Sequence, residues 1–219
     1  VPGELMEHLR AENPAQADAR AFLLAHSALQ QAEREVCAAV PAARRGLVLS
    51  TTKADIEALE RLFHRQPCSP TAQRHIQPAL LAADLADAHE VGGPRQCVSA
   101  ACISGLLAIQ QGAALIRRGA ADLVFVAGVD LVSQFVLSGF TALKSLDPTG
   151  CRPFDRARVG LSLGEGAGAL VLARSDQAPT SAVRVSGWGT SNDANHLTGP
   201  SRDGSGLALA IGRALAKAR

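Results

Sequence analysis

A cysteine, Cys102, stands in the run Cys97-Val98-Ser99-Ala100-Ala101-Cys102-Ile103-Ser104-Gly105, where one hydrophobic period gives way to another. Pro94 to Ser99 alternates after Gly92-Gly93-Pro94 and reads as a short strand, whereas Ile103 through Ile116 carries small and aliphatic residues round nearly its whole circumference. The pattern predicts a buried helix with Cys102 in its first turn. Free backbone N–H groups and the positive end of the macrodipole favour an anion there, so the thiol is expected below its ordinary pKa of about 8.5. The same N–H groups can hold an oxyanion. A free cysteine also serves as a small buried hydrophobe, and the residue types alone leave both uses open.

The other chemistry-bearing residues are less pointed. Of the six histidines, His8, His26, His64, His75 and His89 fall on predicted helices or polar loops with no spacing of a metal site or dyad, and read as surface or boundary residues. His196 lies in the polar stretch Asp193-Ala194-Asn195-His196, where a loop with helix-capping side chains is the plain reading. Gly164-x-Gly166-x-Gly168 is no dinucleotide fingerprint, because that motif follows a strand and opens a helix, whereas here a strand-like Ala169-Leu170-Val171-Leu172 comes after it. The three glycines read as a tight turn with close backbone approach, and Glu165 as a structural carboxylate.

Composition narrows the function class. The 219 residues carry a net charge of +2 with scattered Lys and Arg and only 3% aromatics, which argues against a nucleic-acid partner. Cys37, Cys68, Cys97, Cys102 and Cys151 are odd in number without C-x-x-C spacing, so free thiols are expected and neither a disulfide framework nor a metal site. No apolar run approaches the roughly 18 to 20 residues of a membrane span, and no signal-peptide pattern opens the chain. A cytoplasmic protein is the expectation.

The elements that must position Cys102 alternate along the chain. Helices are predicted over Ala17 to Val36, Ala54 to His64, Ile76 to His89, near Ser133 to Lys144, and from Ser205 to Ala218. Strands are predicted over Arg45 to Ser50, Leu123 to Val129, Ala167 to Ala173 and Ala182 to Trp188. This succession predicts an α/β fold, a layered α/β/α domain with a mixed, mostly parallel sheet.

Several segments together resemble one family. Ser99 to Gly105 is similar to the nucleophile motif of the β-ketoacyl-acyl carrier protein synthases of the thiolase superfamily, in their KAS I/II-like branch. Ala120 to Asp130 and Gly139 to Leu146 resemble the family's next strand and helix, Cys151-Arg152-Pro153-Phe154-Asp155 its R-P-(F/W)-D turn, and Leu163 to Leu172 its Gly-rich turn into a strand. Ser191 to Thr198 and Gly204 to Ala208 complete the order. The resemblance implies a thiolase-like fold of which residues 1–219 are the N-terminal domain, without the opening strand and the second half. It implies Cys102 as catalytic nucleophile, Asp193 as a residue shaping the substrate site, and Thr198 as a contact of the phosphopantetheine arm. No cofactor of its own is implied, since the substrate arrives on that arm of an acyl carrier protein. A homodimer is also implied, and an acidic carrier would dock on basic residues such as Arg117-Arg118 or Arg44-Arg45.

The implied reaction is decarboxylative condensation of a Cys-bound acyl group with a malonyl thioester, in fatty acid or polyketide synthesis. The family's two histidines, lysine and Gly-Phe-Gly-Gly-type loop do not occur before Arg219. Val159-Gly160-Leu161-Ser162 stands where many members have Asp-Gly-Phe, which bears on the acyl pocket. Retention of Cys102 argues against the chain-length-factor relatives, which lack the nucleophile. A thiolase-type acyl-CoA acyltransferase and a non-catalytic structural half of a split synthase are the alternatives.

Overall fold

Leu47 and Leu49 on one side of strand β1 (Arg45–Ser50) and Val48 on the other are all fully buried, which is why this strand reads as an apolar run rather than an alternation. It lies inside a four-stranded sheet of order β2-β1-β3-β4. Strands β2 (Arg95–Val98) and β3 (Leu123–Asp130) run parallel to β1 on either side, and β4 (Gly166–Ala173) closes on β3 antiparallel. Val48 is level with Gln96 and Val126, and Val126 with Leu170. The computed structural model describes residues 2–34, 36, 39–196 and 199–218. It divides into two compact units, Val1–Arg174, which holds the sheet, and Ser175–Arg219.

Eight α-helices lie among the described residues: α1 (Gly3–Glu12), α2 (Arg20–Glu33), α3 (Ile56–Phe63), α4 (Pro70–Arg74), α5 (Pro78–Ala88), α6 (Ser104–Arg117), α7 (Gln134–Ala142) and, in the second unit, α8 (Ser205–Lys217). Helices α1, α2 and α5 share one core with Leu47, Leu49, Phe125 and Val129, and α6 covers the opposite face against Val48, Val124 and Val126. Leu23, Leu29, Leu81 and Leu85 are wholly buried in the larger core, each contributing roughly 1.5–3 kcal/mol by leaving water. The layered α/β/α arrangement with a mixed, mostly parallel sheet is as expected. Polar caps start three of the helices: Asp55 accepts the Ala58 N–H, Ser69 that of Ala72 and Ser133 that of Val136.

Four local expectations need correction. Residues 182–188 form no strand; no described segment pairs with them and Val183 is 97% exposed, so their β-type pattern finds no ladder among the described residues. Helix α6 is buried on one stripe only, Ser104, Ala108, Gly112 and Leu115, while Leu106 is exposed. A Cβ on Gly112 would sit 2.9 Å from Leu172 Cδ1 and 3.0 Å from Val126 Cγ2, which shows how closely that stripe lies on the sheet. Gly164, Gly166 and Gly168 face open space instead, so close approach does not explain them. Beside these, no periodicity announces the short helices α1 and α4; α4 spans only five residues, with a Ser69 cap and Pro70 at its first position as its signature.

The fourth correction concerns histidine. His75 and His89 are buried, not surface or boundary residues. The Phe22 ring stacks on His26 at 5.4 Å and on His75 at 5.3 Å between centroids. His26 Nδ1 lies 2.9 Å from His89 Nε2, and His75 Nε2 lies 2.9 Å from Asp84 Oδ2, which also takes a forked pair of bonds from Arg74. Burial holds His26 and His75 below the ordinary histidine value; the neighbouring His89 adds to this at His26, against Glu33 and Glu12, while Asp84 opposes it at His75.

Because the folded pKa values are depressed, the unfolded chain takes up these protons first. The stability tied to His26 and His75 is therefore whole above about pH 6.5 and is lost as pH falls through the window below it. Asp55, pushed up to about 6 by burial, works in the opposite sense, its share being lost as pH rises through that value. Comparing wild type with His26→Gln cancels the Asp55 share: the wild-type advantage in Tm should shrink between about pH 7.5 and 5.5. Thermal melts showing a constant or growing advantage would contradict this assignment.

Candidate active site

The three parallel strands deliver their C-terminal ends to one rim, where the connecting loops are tied to one another. Thr51 N donates to Val98 O at 3.2 Å, joining the end of β1 to the end of β2. Asp130, the last residue of β3, accepts at Oδ1 from Thr52 N at 2.9 Å and from Thr52 Oγ1 at 2.6 Å. Thr52 Oγ1 in turn accepts from Lys53 Nζ at 2.7 Å, and Thr52 O accepts from Ser99 Oγ at 3.5 Å. Loop ends at this rim of an open α/β sheet are where such folds place their ligands.

Cys102 sits on this rim, on the turn from β2 into α6. The helix begins at Ser104 with Ile103 as its N-cap, so Cys102 lies just ahead of the helix and not in its first turn as expected. Both Cys102 and Ile103 are exposed, which sets the buried-hydrophobe reading aside for this cysteine. Ala101, immediately before it, has φ of 48°, the left-handed region that L residues avoid. Two backbone bonds close the turn, Ile103 N to Ala100 O at 3.3 Å and Ser104 N to Ala101 O at 3.1 Å. Among the hydrogen bonds of the described residues, none uses the N–H of Cys102, Gly105 or Leu106. These are the N–H groups of the turn and of the first residues of α6, donors of the kind that can hold an acyl oxygen acquiring negative charge.

Glu165 is structural, as expected, but through partners no local pattern announces. It pairs with Arg20 at the start of α2 and accepts the Val132 N–H at 3.3 Å. Arg20 also donates to Glu57 of α3 at 2.7 Å, and Glu57 takes Arg61 at 2.8 Å. These two arginines hold the Glu57 carboxyl below the usual carboxylate range, against the opposing effect of its own burial. The Glu165 partner lies 145 residues away in sequence and the Asp130 partners 78, so neither tie was visible as a motif.

The Arg152-Pro153-Phe154-Asp155 turn is fastened at both ends of its charge pattern. Arg152 donates to Ala157 O at 3.1 Å and to the enclosed Asp147 carboxylate at 3.5 Å, and Asp155 accepts the Ala157 N–H at 2.6 Å. Gly160, in the stretch that departs from the family pattern, runs against the chain at Asp147: Asp147 N donates to Leu161 O and Leu161 N to Ser145 O, both at 2.9 Å. A Cβ on Gly160 would come within 2.6 Å of Asp147 N and 2.7 Å of Leu146 C, backbone atoms that cannot swing aside. Gly160→Ala should lower stability in urea unfolding by about 1–3 kcal/mol, the usual cost of overpacking, and an unchanged midpoint would refute the contact.

Asp193 belongs to the second unit. Its carboxylate accepts from Asn195 N at 3.2 Å and Ser201 N at 3.0 Å, bonds that hold its pKa below the ordinary value, Ser201 most of all. A Cβ on Gly206, in the first turn of α8, would meet Asp193 Cβ at 2.8 Å, so this carboxylate organises the loop before α8. Thr198 lies outside the described residues. Arg44 and Arg45 have structural duties: Arg44 makes a two-bond fork to Asp122, 2.8 Å each, and Arg45 donates to Val40 O at 2.8 Å. Arg117 and Arg118 are exposed at the end of α6. Among the described residues no helix is long and apolar enough to cross a membrane, and no group of three His, Cys, Asp or Glu side chains could hold a metal ion.

Four cysteines are described, all free, and Cys37 lies outside the described residues. Burial pushes the Cys68 thiol up, with the Asp18 charge adding to it, and burial pushes Cys97 up as well. Cys102 and Cys151 are exposed. Brief alkylation near neutral pH should therefore label Cys102 at least about tenfold faster than Cys97, read by peptide mass spectrometry. Equal labelling of the two would contradict the exposure and environment described above.

Residues 11–178 match the family model "Beta-ketoacyl synthase, N-terminal domain". The chain is 33% identical over 191 residues to 3-oxoacyl-[acyl-carrier-protein] synthase 2 of Vibrio cholerae, covering 80% of this chain and 46% of that protein. It is 35% identical over 176 residues to the chloroplastic 3-oxoacyl-[acyl-carrier-protein] synthase II of Arabidopsis thaliana, covering 74% of this chain and 32% of that one. Among solved structures it resembles the ketosynthase ApeO, in complex with its chain length factor ApeC, from Xenorhabdus doucetiae, with TM-score 0.78 and 29% identity over 100% of this chain and 54% of that chain. The chain thus spans under half the length of these two relatives and about half of the solved ketosynthase. The match across residues 11–178, with the strand, turn and helix around Cys102 inside it, establishes that this chain belongs to the beta-ketoacyl synthase family.

Proposed function

We propose that this chain carries the acyl-accepting half of a β-ketoacyl-acyl carrier protein synthase, with Cys102 as the nucleophile. The observation that carries the reading is the placement of an exposed thiol just after a left-handed residue at the C-terminal rim of the sheet, immediately ahead of a helix whose Gly105 and Leu106 N–H groups make no bond among the described residues. The thiolate of Cys102 attacks the carbonyl carbon of an acyl thioester on the carrier's phosphopantetheine. A C–S bond to Cys102 forms, the C–S bond to the arm breaks, and the carrier leaves as its own thiol after taking a proton. The negative charge that gathers on the carbonyl oxygen in between is held by the rim N–H groups.

In the second step a malonyl thioester loses carbon dioxide. The resulting carbanion attacks the acyl carbon, and Cys102 departs as thiolate, ready for another acyl group. Asp193 fixes the loop that borders the carrier's arm, and Thr198 contacts the arm itself. The whole protein works in the cytoplasm as a homodimer served by acyl carrier protein and needs no cofactor of its own. A heterodimer is the second reading, favoured by the Xenorhabdus ketosynthase, which is found in complex with its chain length factor.

Incubation with an acyl-acyl carrier protein tests the first step directly. Intact mass should rise by one acyl group, peptide mapping should place it on Cys102, and Cys102→Ala should take none. Acyl transfer from acyl-CoA in preference to the carrier-bound thioester would point to a thiolase-type enzyme, and labelling elsewhere, or none, would overturn the assignment.

A further inference from the structure

The hydroxyl of Ser104 is buried and makes two bonds that face away from its own helix. It accepts from Ala100 N at 2.8 Å and donates to Ala101 O at 2.6 Å. A serine at a helix start ordinarily caps the helix by accepting an N–H two or three residues ahead. Here Ile103 occupies the N-cap without a side-chain bond, and Ser104, the first helical residue, reaches back toward the strand. Its two bonds fall on either side of the Ala100-Ala101 pair, and Ala101 is the residue at φ of 48°.

Left-handed backbone is costly for an alanine, a cost glycine would not bear. An alanine there adopts the conformation because contacts hold it, and with few states open to it the turn is stiffer than a glycine turn. The contacts that straddle Ala101 are the two bonds of Ser104 together with the backbone bonds of Ile103 and Ser104. Release of Ala101 from that conformation would rotate the next residue, Cys102, about the chain and swing its thiol relative to the N–H groups of the rim.

We propose that Ser104 is a positioning residue for the acyl transfer: its hydroxyl clamps both sides of the Ala100-Ala101 pair and fixes the direction in which Cys102 presents its sulfur. This role rests on the reading of Cys102 as the acyl acceptor. It concerns geometry rather than thiol chemistry, so it separates a directional reaction from an undirected one. Transfer from a carrier-bound thioester needs sulfur, carbonyl carbon and oxyanion donors aligned together. A small alkylating reagent approaches an exposed sulfur from any side.

Ser104→Ala and Ser104→Thr in the full chain, assayed against wild type, decide it. Acyl transfer from acyl-acyl carrier protein to Cys102 should fall about tenfold in Ser104→Ala, the size expected from losing two hydrogen bonds, while iodoacetamide labelling of Cys102 stays within about twofold. Ser104→Thr, which keeps the hydroxyl, should recover most of the transfer rate. Transfer by Ser104→Ala equal to wild type would overturn the role. So would a parallel fall of transfer, iodoacetamide labelling and Tm, which would make Ser104 merely structural. A wild-type chain that takes no acyl group on Cys102 would instead overturn the proposed function, and this role with it.

Discussion

Burial of β1 on both faces is the constraint on which the rest depends. Leu47 and Leu49 must meet α2 and α5 while Val48 meets α6, so helices are required above and below the strand, and parallel neighbours joined through helices follow. Parallel strands bring their C-terminal ends to the same side, and the loops leaving β1, β2 and β3 gather there. Cys102 reaches that rim because β2, the edge strand next to β1, ends at Val98, a few residues before it. A slip of one residue in β1 would turn Val48 and Leu49 to the wrong cores at once, so the rim is fixed by packing that lies well beneath it.

Charge then pins the two ends of the sheet where apolar packing is indifferent to register. At the N-terminal ends, Arg44 before β1 grips Asp122 before β3, and Arg174 after β4 approaches the same carboxylate at 3.6 Å. Asp122 is held below the usual carboxylate range chiefly by its hydrogen bonds to Arg44. At the opposite ends, Asp130 takes the loop after β1 and Glu165 takes the start of α2. Partly buried charges of this kind specify which partners meet more than they add to net stability, because desolvation offsets much of the attraction.

The elements of the sheet were legible in the sequence because two-sided burial writes itself as an apolar run and helices as a stripe. Arg45 to Ser50 was placed at its observed bounds, and α3, α5 and α7 within about two residues at each end, the ordinary disagreement over frayed termini. Residues 182–188 misled because β-branched alternation records a fitness for pairing, not the presence of a partner. Cys102 was legible as the residue of interest from its motif and position. Its exact stance was not, since the φ of Ala101 and the reach of Ser104 depend on how a turn closes and leave no period behind. The histidines failed for a related reason: Phe22, His26, His75 and His89 come from three parts of the chain, and only α2 packing on α5 brings their rings together.

Rigidity is distributed unevenly in this chain, and its distribution follows the chemistry. The body of the sheet is held by dispersion and burial, interactions that tolerate small adjustments without loss. The rim is held by short polar bonds with definite directions: Thr52 to Asp130 and Ser104 to Ala101, each at 2.6 Å. On the proposed reading of Cys102 as acyl acceptor, a thiol that must meet a carbonyl carbon at one angle gains from directional neighbours and little from additional apolar area. The left-handed alanine just before Cys102, with a buried serine bonded to that alanine and to the residue preceding it, fits such a requirement. On that reading, removal of a core methylene would lower stability while leaving the sulfur aimed, whereas loss of the Ser104 hydroxyl would leave the core intact and the sulfur unaimed.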